Sequence, residues 1–204
     1  MSTRGELSTF ASSLWEPADI IEWRGLGGGL SPLQGWLTAG DLPGAVDVLT
    51  EHNQGGRNIY AGINPRLAVG RSGDDSVVQC RAVFADFDSL DKGGHETDEE
   101  AVLQRVLEAH LPPATLTIHS GHGIHAYWRL TEPVDGATFR HVQKRLAATL
   151  WSDPAICNPE RMMRLPGFLN VKADPVPCYI LRHDPGRVFP LTRILSVLKS
   201  LPPR

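Results

Sequence analysis

Residues 115–130 read TLTIHSGHGIHAYWRL. Two β-prone apolar runs, Thr115–His119 and Ile124–Leu130, flank the tight turn Ser120-Gly121-His122-Gly123, so the stretch is a hairpin. Upstream, Val77–Asp88 is another strand. Its core, Ala82-Val83-Phe84-Ala85, is continuously apolar, as in a strand buried on both faces, and it ends abruptly in charge. Asn58–Ile63 and Cys178–Arg182 are further strands. Thr138–Leu150 is the clearest helix: Phe139, Val142, Leu146 and Leu150 line one face, with Arg140, Lys144 and Arg145 outside it. Asp41–His52 repeats Leu42, Ala45, Val46 and Leu49 at helical spacing. Glu99–His110 puts Val102, Val106 and Leu107 on one side before Pro112-Pro113 stops it, and Leu191–Leu198 is a short terminal helix. Mixed strands and helices with a hairpin predict an α+β domain, a central mixed or antiparallel sheet flanked by helices.

Around these elements the chain is quiet. Gly25–Gly35 reads GLGGGLSPLQG, a surface loop by composition, without the Lys-Ser/Thr ending of a phosphate-binding P-loop. Asp153–Leu169 is rich in turns. The 204 residues suit one domain: a motif-bearing core at 57–172, an N-terminal part at 1–56, and a C-terminal strand and helix at 173–204.

Composition narrows the class. Hydrophobic residues make up 41% and charged residues 21%, ordinary for a globular protein. No apolar run reaches the roughly 18 residues of a membrane helix. Met1–Phe10 lacks a basic patch followed by an apolar stretch, so no secretory signal is read and the cytoplasm is the default compartment. The cysteines Cys80, Cys157 and Cys178 are scattered, which argues against a cysteine zinc site or a disulfide framework. Net charge is −3, but acidic residues gather at Asp86–Glu100 and basic ones at Arg140–Arg145 and Arg161–Lys172. A local basic groove remains compatible with the acidic sum.

Three constellations carry chemistry. In Phe84-Ala85-Asp86-Phe87-Asp88, strand alternation projects Asp86 and Asp88 to one face, and paired carboxylates suit a hard divalent cation such as Mg²⁺. In Ser120–Trp128, glycines let the backbone approach a ligand, turn N–H groups can cup an anion, and His125 can donate to phosphate. His119, His122 and His125 also raise a zinc reading, although a glycine turn does not align three ligands as a helix would. In Asn158–Lys172, Arg161, Arg164 and Lys172 surround a Pro166-Gly167 turn and suit phosphate oxygens. Acidic metal ligands, a triphosphate cradle and neutralising cations are the parts that phosphoryl transfer needs.

In these residues the sequence resembles the archaeo-eukaryotic primase superfamily, and more narrowly the primase-polymerase domains of phage and plasmid replication proteins. Asp86 and Asp88 match its DxD motif. Ser120, Gly121, Gly123, His125, Tyr127 and Trp128 match an expanded SGxGxHxYW motif, and Arg164, Leu165, Pro166, Gly167, Asn170 and Lys172 match RLPGxxNxK. Tyr60–Arg66 resembles the segment leading to the first motif. The resemblance implies an RRM-like catalytic core. It implies Asp86, Asp88 and Asp153 around two Mg²⁺ or Mn²⁺ ions, with Asp135 as the fallback third ligand. Ser120, His125, Arg164 and Lys172 would hold the triphosphate. Relatives often carry aspartate where Asn158 stands, so here Asp153 alone is acidic. The implied activity is DNA-directed DNA synthesis from (d)NTPs on single-stranded or primer-template DNA, in a bacterial or phage-infected cytoplasm. A helicase domain or protein would be a further partner. The competing readings are a non-catalytic initiator that binds origin DNA, and a histidine-metal enzyme that nicks DNA through Tyr60, Tyr127 or Tyr179.

Overall fold

Strand pairing builds a four-stranded sheet, a five-stranded sheet and a short two-stranded one. The computed structural model describes residues 1–27, 29–77, 79–88 and 98–199; the Asp88 side chain and most of the acidic run 86–100 lie outside the described residues. Helix α1 (Thr3–Leu14) precedes β1 (Ile20–Leu26) and β2 (Leu33–Thr38), an antiparallel hairpin. A 3-10 segment, Ala39–Ala45, leads into α2 (Val46–Gln54), and β3 (Asn58–Gly62) returns beside β1. Then follow β4 (Cys80–Asp88), α3 (Glu99–Glu108), β5 (Leu116–His119), β6 (Gly123–Val134) and α4 (Gly136–Leu150). The chain closes with β7 (Met162–Arg164), β8 (Leu169–Asn170), β9 (Val176–Pro177), β10 (Tyr179–His183), β11 (Val188–Phe189) and α5 (Leu191–Leu195).

The first sheet runs β2-β1-β3-β7, antiparallel throughout. The second is centred on β6. Strand β4 pairs along one side of it; β5, with β10 beyond, and the parallel β11 take the other. The hairpin read from residues 115–130 is β5–β6, with Ser120 N–H bonded to Gly123 O at 2.8 Å across the turn. Ile124, His125, Ala126, Tyr127 and Trp128 are all buried, so β6 is covered on both faces.

Helix α4 packs as its pattern requires: Phe139, Val142, Leu146 and Leu150 are each 0% exposed. Asp135 caps its start, one carboxylate oxygen accepting from Ala137 N and Thr138 N at 2.8 and 2.9 Å. Several expectations change. Leu107 is exposed, and only Val102 and Val106 bury on α3. The helix read from Asp41 begins as a 3-10 segment around Pro43. Gly25–Gly35 is strand at its two ends, where Gly25 and Leu26 close β1 and Leu33–Gly35 open β2. The turn-rich segment 153–169 hides β7, which exists because β3 supplies its partner.

Strand β4 is an edge whose second side is occupied by side chain and loop. Gln143 on α4 accepts from Phe84 N at 2.9 Å and donates to Phe84 O at 2.9 Å and Ile156 O at 3.1 Å, so one buried amide stands in for a neighbouring strand. Gln143→Leu keeps the volume but strands three buried backbone groups. It should cost roughly 3 kcal/mol in urea denaturation, since each unmet buried group costs about 1–3 kcal/mol.

Candidate functional site

Asp86 and His125 are direct cross-strand partners on β4 and β6. Residues opposite each other in an antiparallel pair share a face, so the carboxylate and the imidazole project together. His125 Nε2 stands 3.6 Å from Asp86 Oδ1, and its Nδ1 is 3.1 Å from the Tyr127 hydroxyl. The histidine side chain is 3% exposed and the aspartate 19%, so the carboxylate sits at the mouth of the site and the ring behind it. Burial pushes the His125 pKa down to about 3, and the Arg164 and His119 charges push the same way. The ring is therefore neutral at physiological pH, and its approach to Asp86 is a dipole contact rather than an ion pair.

Asp153 arrives from the turn after α4. Its N–H donates to Asp86 O at 2.9 Å, one step along β4 from the Gln143 clamp. One of its carboxylate oxygens accepts from Ala155 N at 2.8 Å, which holds the turn. The fold thus pins Asp153 to Asp86 through backbone. Among the described residues no three His, Cys, Asp or Glu side chains are grouped so as to hold a metal ion. The acidic set needs Asp88, whose backbone pairs with Gly123 and whose side chain lies outside the described residues. Asp135, the fallback ligand, has one oxygen on Ala137 N and Thr138 N and the other on the Thr138 hydroxyl at 2.8 Å. Its carboxylate caps a helix.

The cationic side comes from the other sheet. Arg164 on β7 pairs with Tyr60 on β3 and lies over its ring, 5.2 Å from the centroid. Its Nε approaches Asn58 Oδ1 at 3.4 Å. The same Asn58 oxygen accepts from Val171 N at 3.0 Å, next to Lys172. Asn170 is the hinge of the arrangement. It donates to Ser120 O at 3.0 Å and accepts from Lys172 N at 3.2 Å, so one buried amide joins the β5–β6 turn to the lysine segment. Gly121 sits against it at φ +98°, where a Cβ would come 2.6 Å from the Asn170 Cβ, so glycine is required there. The Lys172 side chain is exposed.

Burial pushes the Tyr60 phenol up; Arg164 opposes this and Asp86 reinforces it, so Tyr60 feels both sides. Beside Tyr60 the cleft opens into a pocket of about 370 Å³ lined by Arg24, Leu26, Asn158, Glu160, Arg161 and Met162. Arg161 is held by Asn158 Oδ1 at 2.9 Å and by Ala155 O.

The histidines do not form the zinc site that their spacing raised. His119 pairs with Ile124 in the register and His125 with Ile118, so alternation sends the two rings to opposite faces. His119 instead stacks on Tyr179 at 5.2 Å and accepts from Gly121 N at 3.2 Å. A nicking tyrosine beside a histidine-held metal therefore has no such metal group among the described residues. Asn58 and Gln143 were not singled out from sequence, and Tyr60 stood there only in a matched segment and as a candidate nicking tyrosine. The clue for Asn58 is an asparagine in an apolar strand, a buried polar group that must find partners.

No protein-family model and no curated protein sequence matches the chain. Solved structures do match. The archaeo-eukaryotic primase domain of cyanophage S-2L primase-polymerase aligns over 96% of this chain and 98% of its own, at TM-score 0.76 and 21% identity. The catalytic domain of primase RepB′ in complex with initiator DNA aligns over 97% and 94%, at TM-score 0.70 and 13% identity. A second structure of primase RepB′ aligns over 94% of this chain and 62% of its own, at TM-score 0.67 and 14% identity. Agreement of this extent at such low identity is agreement of architecture, and the chain has the archaeo-eukaryotic primase fold.

Proposed function

We propose that the chain is a DNA-directed nucleotidyltransferase, a primase-polymerase that adds nucleotides from (d)NTPs to a 3′-hydroxyl on a DNA template. One observation carries the reading: a carboxylate at the mouth of the cleft backed by a neutral histidine, 3.6 Å apart, on the sheet opposite an arginine laid over Tyr60. That is the division of charge which phosphoryl transfer requires, acidic on the metal side and cationic on the phosphate side.

Asp86, Asp88 and Asp153 would hold Mg²⁺ or Mn²⁺. Their all-oxygen chemistry fits a hard cation, and the backbone bond from Asp153 N–H to Asp86 O supports Asp153 as the third ligand. Bound there, the ions would supply Lewis-acid activation of the 3′-hydroxyl and neutralise the departing pyrophosphate. Arg164 would pair with triphosphate oxygens through its planar fork, and Lys172 would add a point charge. The turn would present the Ser120 hydroxyl and its remaining backbone N–H groups, and His125 a neutral donor, to the same phosphates. DNA, single-stranded or as primer-template, would lie across the cleft and bind mainly through phosphates, so affinity would fall steeply with salt. RepB′ solved with initiator DNA supports a nucleic-acid partner. A helicase domain or protein would act alongside.

The test is primer extension on a defined template with Mg²⁺ or Mn²⁺, repeated without primer. Template-dependent incorporation is expected. Sequence-specific duplex binding with no incorporation from any template or triphosphate would replace the enzyme by a DNA-binding initiator.

A further inference from the structure

We propose that Tyr127 is a positioning residue that donates to His125 Nδ1 and, with Asp86 opposite, keeps the single ring proton on Nε2. Its meaning for catalysis rests on the nucleotidyltransferase reading; the tautomer is a property of the chain itself.

The phenol is immobilised. Tyr127 is 0% exposed, its ring meets Phe10 edge-on at 5.8 Å and Phe84 at 6.0 Å, and its hydroxyl lies 3.1 Å from His125 Nδ1. Two proton arrangements are open to this pair. In one, the phenol donates to Nδ1, and the proton on Nε2 points at the Asp86 oxygen 3.6 Å away. In the other, Nδ1–H donates to the phenol oxygen. The phenolic proton then has no hydrogen-bond acceptor among the described residues, and the bare Nε2 lone pair confronts a carboxylate. Both ends of the ring favour the first arrangement, because buried donors seek acceptors and lone pairs avoid anions. Arg164 makes no hydrogen bond to the ring among the described residues; its Nε turns to Asn58. His119, on the neighbouring strand, is held by Gly121 N. The consequence is a neutral donor aimed permanently at the cleft mouth, where an oxygen of a triphosphate would meet it. A second partner on one ring nitrogen sets the role of the other.

The experiment uses the full chain labelled with ¹⁵N-histidine. Two-bond ¹H–¹⁵N correlation spectra read which nitrogen of each ring bears the proton, and the His125 signals are assigned by their loss in His125→Gln. In the wild type, Nε2 should appear protonated and Nδ1 bare. In Tyr127→Phe the Asp86 end still favours the proton on Nε2, so the Nδ1 resonance should move downfield to that of a ring nitrogen without a hydrogen-bond donor, and single-turnover incorporation should slow at least tenfold with KM changed much less. A wild-type ring protonated on Nδ1 overturns the proposal, with or without a folded variant. So does a folded Tyr127→Phe protein whose Nδ1 resonance is unchanged. The two readings separate cleanly. Nε2–H with a Tyr127-dependent Nδ1 resonance, in a protein inert on every template, upholds the positioning role and removes the polymerase, whereas an active protein with Nδ1–H does the reverse.

Discussion

Asparagine at both Asp86 and Asp88 should abolish nucleotide incorporation, lowering the single-turnover rate by at least about a thousandfold while the protein still folds. The magnitude follows from what such carboxylates do. Cations held there neutralise several kcal/mol of developing charge, and each 1.36 kcal/mol is a factor of about ten in rate. Folding should survive for a structural reason. The Asp86 backbone is tied into the fold: the carbonyl accepts from Asp153 N at 2.9 Å, and the strand pairs with His125. Asparagine preserves both, and also the shape of a side chain that is only 19% exposed. Circular dichroism should show an unchanged melting transition within a few degrees. A well-folded double variant with normal primer extension would mean that the chemistry lies elsewhere.

The largest loss of stability should come from Arg66→Ala, about 3–5 kcal/mol in urea denaturation. Arg66 and Glu22 form an ion pair with both side chains 0% exposed and Nε 2.7 Å from Oε2. The guanidinium also donates to Asn64 O and Glu160 O, each at 2.9 Å. It lies over Gly62, where a Cβ would come 2.5 Å from the guanidinium. One arginine therefore binds β1, the end of β3 and the segment entering β7. Removing it leaves two carbonyls short of a donor and a carboxylate held only by Arg24 and Gln34 at 2.6 Å and by Ser72 at 3.3 Å. Because β7 carries Arg164, activity should fall with stability. A loss below about 1 kcal/mol would show the pair to be dispensable.

The same cluster sets a pH dependence. Burial by itself would raise the Glu22 pKa, but the hydrogen bonds from Arg66, Gln34 and Arg24 outweigh it and hold the carboxyl below its usual 4.5. A carboxyl depressed in the folded state adds stability that is present above its unfolded pKa and lost as pH falls through the folded one. Glu22→Gln should therefore lower stability near neutrality and flatten the acid limb below about pH 4.5 when unfolding is followed across pH.

Local patterns account for what was legible. The β5–β6 hairpin and α4 were legible from local pattern, and the four apolar residues that line the α4 face are all buried, with Gln143, Ala147 and Thr149 burying beside them. The facing of Asp86 and His125 was half-legible: each lay in a recognisable motif, but their pairing is a register, fixed by the fold. The first 40 residues were under-read. Leu7, Phe10, Ala11 and Leu14 have helical spacing and bury as α1, behind an N-cap Ser2 that accepts from Gly5 N at 3.2 Å. Composition masked that signal, because serine, threonine and glycine suggest loop. Strand β7 has three residues and no pattern of its own, so only β3 beside it reveals it. Asn170 stood in a matched motif without a role until the turn it bonds came into view.

The glutamine amide laid along β4 has a consequence for solubility. Bare strand edges invite other chains to dock and propagate ordered aggregates. Here the outward N–H and C=O of Phe84 are engaged by Gln143, and Asp86 O by Asp153 N, so a second molecule finds no ladder to continue beside the acidic residues. At those positions, where open access for substrate would otherwise mean a sticky border, the protein stays guarded against self-association.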